Sequence, residues 1–185
     1  CVLFSMRQQG TKNSQMLKGL RLKALRGTWA APFPGQALVV LAQQRLVIPD
    51  VLLHEDGHAQ ERSLLPAVLH TVNAGDLWSE DRHFCPLGML CGRAQRGAAF
   101  LVRQHGQVKG ELLGAPPRQG SIRSGTVYEQ AMVVRDPASG APMTVRRRTL
   151  KLKEPTRDGE TELPILSHVP VVEARASTLV ALYGK

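Results

Sequence analysis

The chain has 185 residues, 43% of them hydrophobic, and a formal net charge of +9 from 24 lysines and arginines against 15 aspartates and glutamates. That length suits one domain with an elaboration, and the apolar content excludes intrinsic disorder by composition. A pI near 10.1 points to a polyanionic partner, most simply nucleic acid, although ribosome or anionic-membrane contact carries the same sign.

Residues 1–31 hold Arg7, Lys12, Lys18, Arg21, Lys23 and Arg26 without one acidic residue. This block either meets phosphates or forms the solvated face of a helix from Ser14 to Arg26, with Gly27 as its stop. Pro32, Pro34 and Gly35 then break the chain. The runs 37–41 and 45–48 read as paired strands across Gln43-Gln44, expected at the centre of the core sheet. Between Ser63 and Val72, Leu64, Leu65, Val68, Leu69 and Val72 make an apolar helical stripe, with Ser63 as cap so that Pro66 falls where proline is tolerated.

The stretch from Asp76 to Phe84 reads as a short strand that delivers one carboxylate, Asp81, to the mouth of a helix. Chemistry collects at such strand ends. Pro86 suits the first helical position, Leu87, Leu90, Cys91 and Ala94 recur at helical spacing, Arg93 and Arg96 occupy the last turn, and Gly97 caps it. Ala98 to Arg103 is then a short apolar run between turn signals, the profile of a buried strand. Asp81 is thus either a functional carboxylate or simply a helix N-cap beside Arg82. Glu80 faces the opposite side, since adjacent strand residues alternate.

From about Gly106 the texture changes to short strands between Gly and Pro turns, at 111–113, 126–134, 143–153 and 160–169. Residues 145–153 pack five basic side chains into one strand. Alternation places Arg147, Lys151 and Lys153 on one face and Arg146 and Arg148 on the other, beside Leu150 and Leu152. Such a strand fits a charged sheet edge that deters pairing as well as it fits a DNA-backbone tracker. Ser177 is positioned to cap a helix carrying Leu179, Leu182 and Tyr183.

Two patterns look like metal sites and are discounted. His54-Glu55-Asp56-Gly57-His58 is a literal H-E-x-x-H match, but it follows an apolar, strand-like run and contains the turn dipeptide Asp56-Gly57, whereas the zinc motif needs a helix to aim both rings. Cys85 and Cys91, with His83 and His105 nearby, are six residues apart rather than the two to four of common zinc sites, so buried thiols on an amphipathic helix are the better account. Cys1, Cys85 and Cys91 are too few for a disulfide framework. No apolar run approaches the ~20 residues of a membrane span, and Val2-Leu3-Phe4 is too short for a signal-peptide core. A reducing cytoplasm is the expected location, and no membrane partner is expected.

The residues 55–62, then Asp81-Arg82-His83-Phe84, then Arg96 to His105, resemble bacterial insertion-sequence transposases of the DDE class, in the group named after insertion sequence four. The similarity runs from about Leu22 to Lys185, and the Asp-Arg-x-Phe signature is moderately specific. The resemblance implies an α/β fold with a ribonuclease-H-like mixed sheet. It divides the chain into a basic segment (1–31), the first part of the core (32–106), a β-rich insertion (107–158), and a core strand with the start of the last catalytic helix (159–185). It implies metal-dependent DNA strand cleavage and transfer, Asp81 as the second metal-binding aspartate, Mg2+ or Mn2+ as cofactor, insertion-sequence ends as partner, and scope for a homodimer on DNA. The expected DNA contacts are Arg82, Arg103, Arg147, Lys151, Lys153 and Tyr183, and the resemblance implies a bacterial protein associated with the nucleoid.

Such sites hold two divalent ions on three carboxylates. The first belongs in an Asp-Gly-Asn-like element that here reads Thr11-Lys12-Asn13, and the chain has no carboxylate before Asp50. The third belongs in a Tyr-x-x-Arg-x-x-x-Glu pattern whose fitting tyrosine is Tyr183, so its glutamate falls beyond Lys185. With a first residue Cys1 rather than methionine, the expectation is a fragment or decayed copy, incomplete at both ends and inactive in transposition by itself. Charge alone supports the rival reading, a non-catalytic basic DNA- or RNA-binding module.

Overall fold

The computed structural model describes residues 2–7, 36–42, 47–54 and 61–183. Its strands are β1 (Val2–Arg7), β2 (Gln36–Ala42), β3 (Val47–His54), β4 (Leu77–Glu80), β5 (Ala99–Arg103), β6 (Glu111–Leu113), β7 (Arg118–Ile122), β8 (Gly125–Arg135), β9 (Pro142–Leu152) and β10 (Glu162–Ser167). They join one mixed sheet in the order β3-β2-β1-β4-β5-β10-β9-β8-β6, with β7 pairing β8 off this path. β1, β4 and β5 run parallel to their neighbours in that trio, whereas β2 is antiparallel to both β1 and β3. The fold is therefore mixed α/β, with few helices. β10 lies antiparallel to both β5 and β9, so the β-rich residues after Gly106 continue the sheet begun by β4 and β5.

The helices are short: α1 (Leu65–Val68), α2 (Leu87–Gln95) and α3 (Ala176–Tyr183). α2 follows from its sequence. Proline ahead of the first turn has no N–H to orphan, and Gly97 accepts the positive φ of +73° that ends the helix. α2 links two adjacent parallel strands, which need such a crossover. It packs Met89 and Leu90 onto one sheet face with Trp78, Phe100, Val102, Leu65 and Val68. On the opposite face α3 lays Ala176, Leu179 and Val180 over Leu101, Val127, Leu150 and Ile165. Alternation along β5 is the reason for both layers: Phe100 and Val102 point one way and Leu101 the other.

Several expectations need correction. The strands at 36–42 and 47–54 stand at one end of the sheet, not its centre, which β4, β5 and β10 occupy; between them and β4 runs β1, a strand that the basic composition of residues 1–31 concealed. Residues 8–35, including the expected helix from Ser14 to Arg26, and the turn at 43–46, lie outside the described residues. The stripe from Ser63 to Val72 is not one helix: α1 is flanked by 3-10 turns at Glu61–Leu64 and Leu69–Thr71, and its cap position is Leu64, because Pro66 limits regular bonding there. Pro86 takes the N-cap of α2, one position earlier than read, and α3 begins at Ala176, placing Ser177 inside its first turn.

The largest correction concerns β9. It is an interior strand, paired with β8 along Gly125↔Leu152 to Arg135↔Pro142 and with β10 along Glu162↔Lys151 to Ser167↔Arg146. Its arginines do not mark a sheet edge, because Arg146 and Arg148 meet Glu129 on β8 within the sheet. In the zinc-like pattern, His54 ends a strand rather than starting a helix, and residues 55–60 lie outside the described set. Cys85 and Cys91 are buried and outside any disulfide, and burial pushes the Cys91 thiol up, with the Asp136 carboxylate adding to the rise.

Candidate nucleic-acid interface

β4 alternates: Trp78 and Glu80 are buried toward α2, so the next residue, Asp81, emerges on the α3 side at the carboxyl end of the strand. Asp81 is exposed, and its Oδ1 accepts the Arg82 backbone N–H at 2.7 Å as the N-cap of a 3-10 turn, Arg82–Phe84. The cap is real. The carboxylate also acts electrostatically on Tyr183 at the end of α3.

Arg103, at the carboxyl end of β5, and Arg82 both reach Glu160, which stands in the turn between β9 and β10. Arg82 Nη1 lies 3.1 Å from Glu160 Oε1, and Arg103 Nη2 is bonded to Oε2. Tyr183, at the end of α3, completes the group: its phenol meets the Arg103 backbone N–H. Burial and the Asp81 carboxylate push its pKa up to about 12 against the pull of Arg103, so it remains a neutral donor at neutral pH. Sequence reasoning missed Glu160, since nothing in a hairpin turn 57 positions from Arg103 foretells contact with it.

The other basic residues divide. Lys151 sits over the Tyr128 ring, 5.3 Å from its centroid, and lies 3.4 Å from Glu162. Arg147 donates to Gln104 Oε1 at 2.7 Å and to Thr149 Oγ1 at 3.0 Å. Alternation puts Arg147 and Lys151 on the α2 side of the sheet, opposite Asp81, Arg103 and Tyr183. Lys153 is exposed just past β9. The structure thus gathers Asp81, Arg82, Arg103 and Tyr183 into one cluster, and it does not bring Arg147 or Lys151 into it.

Glu80 faces inward. It is 2% exposed and bonded to Arg93 of α2, which is 0% exposed and stacks 5.2 Å from the Trp78 ring centroid. Burial outweighs the attraction of Arg93 and pushes the Glu80 carboxyl up to about 7. Burial likewise pulls Arg93 down, against the opposing pull of Glu80. Glu80 Oε2 and Arg93 Nε and Nη1 have no hydrogen-bond partner among the described residues. This pair is structural, and it lies behind the sheet from Asp81.

Among the described residues no three His, Cys, Asp or Glu side chains converge as a metal group would require. At the sheet end Asp81 already caps a backbone N–H and Glu160 already holds two guanidiniums. That donor set does not fit a pair of divalent ions. β1, next to β4, contributes no acidic residue. No helix among the described residues is long and apolar enough to cross a membrane. Compared with known proteins, the chain matches no family model and no curated protein.

Proposed function

We propose that the chain is a ribonuclease-H-like domain of DDE-transposase descent that binds the DNA backbone at the carboxyl end of β4 and β5 without cleaving it. One observation carries the reading: in the order β3-β2-β1-β4-β5, with β2 antiparallel and β1, β4 and β5 parallel, Asp81 stands just past the carboxyl end of β4, between β1 and β5. A mixed sheet with an aspartate at such a strand end supports the reading, since the resemblance expects Asp81 at the site. Arg82, Arg103 and the neutral donor Tyr183 supply what a phosphate needs, positive charge and hydrogen-bond donors. Asp81, with Glu160 already held by two guanidiniums, is poorly suited to hold the ions that activate water or a 3'-hydroxyl, which favours binding over strand transfer.

Titration of a labelled duplex at two salt concentrations tests the reading. Affinity should be independent of sequence and fall steeply as salt rises, through counterion release. No nicking should appear in Mg2+ or Mn2+. Absence of binding at low salt overturns the proposal, and cleavage that disappears in Asp81→Ala overturns its non-catalytic half.

A further inference from the structure

On the α3 side of the sheet, away from Asp81, two arginines share one carboxylate. Arg146 Nη2 and Arg148 Nε lie 2.9 Å and 2.8 Å from the same oxygen, Glu129 Oε2. Arg146 has other work: its Nη1 donates at 3.0 Å to the carbonyls of Val169 and Ala174. Arg148 does not. It is 0% exposed, its Nε faces Glu129, and its Nη1 and Nη2 have no hydrogen-bond acceptor among the described residues.

The cluster therefore encloses two positive charges against one negative. An uncompensated buried cation is among the most unfavourable features an interior can hold, and a guanidinium carries five N–H donors that each need an acceptor. Burial pulls Arg148 down to about 10, with the charge of Arg146 adding to the fall against Glu129, so it is still protonated at neutral pH. The start of α3 at Ala176, two residues past the carbonyl that Arg146 grips, contributes partial positive charge of the same sign. Leu179 and Val180 of α3 pack with Leu150 and Ile165 over this face, so any ligand here is screened from solvent.

We propose that Arg146 and Arg148, enclosed between β8, β9 and the start of α3, form a buried binding site for one small inorganic anion of the chloride class. The anion supplies the missing negative charge and accepts from the Arg148 fork. It acts as a structural ion that ties α3 to the sheet.

Thermal melting of the full chain tests this, with sodium gluconate replaced by sodium chloride or bromide at constant ionic strength so that general screening is held equal. Halide should raise Tm saturably, by about 3 to 5 °C. Arg148→Met should abolish the response. Glu129→Gln, which removes the competing carboxylate, should lower the halide concentration at half-response by about tenfold, the effect expected of one charge interaction in a buried site. Equal melting in gluconate and halide overturns the proposal and leaves the site to water, and so does a full response in Arg148→Met. Should Arg148→Met fail to fold, an unshifted half-response in Glu129→Gln overturns it alone.

Discussion

Glu80→Gln separates the charge of Glu80 from its shape. In the folded chain this carboxyl rises from its ordinary 4.5 to about 7, because burial against Trp78 and α2 disfavours the anion more than Arg93 favours it. A folded-state pKa raised above the unfolded one contributes stability that is fully present below the unfolded value and lost as pH climbs through the folded value. The window therefore runs from 4.5 to about 7. At 1.36 kcal/mol per pH unit the loss across it is about 3 kcal/mol, a large share of a domain stability of roughly 5–15 kcal/mol. Glutamine keeps an oxygen for the Arg93 Nη2 bond and cannot ionise. Wild-type stability should fall by about 3 kcal/mol more than that of Glu80→Gln between about pH 4.5 and about pH 8, or about 6 to 12 °C in Tm for a chain of this size. Urea unfolding at several pH values measures it. Parallel pH curves for the two proteins would show that Glu80 ionises as it does in water, and the buried-pair reasoning would fail.

Glu160→Gln should free Arg82 and Arg103 and so raise DNA affinity, with a log–log salt slope steeper by about 1 to 2; unchanged affinity and slope would place the DNA elsewhere. Lys151→Ala removes an exposed ion pair, so chemical denaturation should find stability within about 0.5 kcal/mol of wild type. Gly125→Ala should destabilise by at least about 1 to 3 kcal/mol in the same assay, because its Cβ would overlap the Lys151 backbone carbonyl, which cannot move without breaking the β8–β9 register. Phe100→Ala opens a hole where both α2 and His168 pack, and a loss of about 3–5 kcal/mol is the expected reading.

What the sequence determined by itself was local. The spacing of Leu87, Leu90, Cys91 and Ala94, with Pro86 ahead and Gly97 behind, placed α2, because helix punctuation depends on backbone geometry that each residue carries with it. The strands β6, β8, β9 and β10 followed from turn residues and alternation in the same way, and alternation put Arg148 on the face of Leu150. Only the tertiary structure decided what each charge meets. Arg93 finds Glu80 13 positions away, Arg82 finds Glu160 78 away, and Arg148 finds Glu129 on the neighbouring strand. A run of arginines looks the same in sequence whether it lines a sheet edge or fills an interior. The difference lies in counter-charges brought by chain segments whose pairing is not local, and those same pairings decided that β9 is an inner strand and that Asp81 stands among cations.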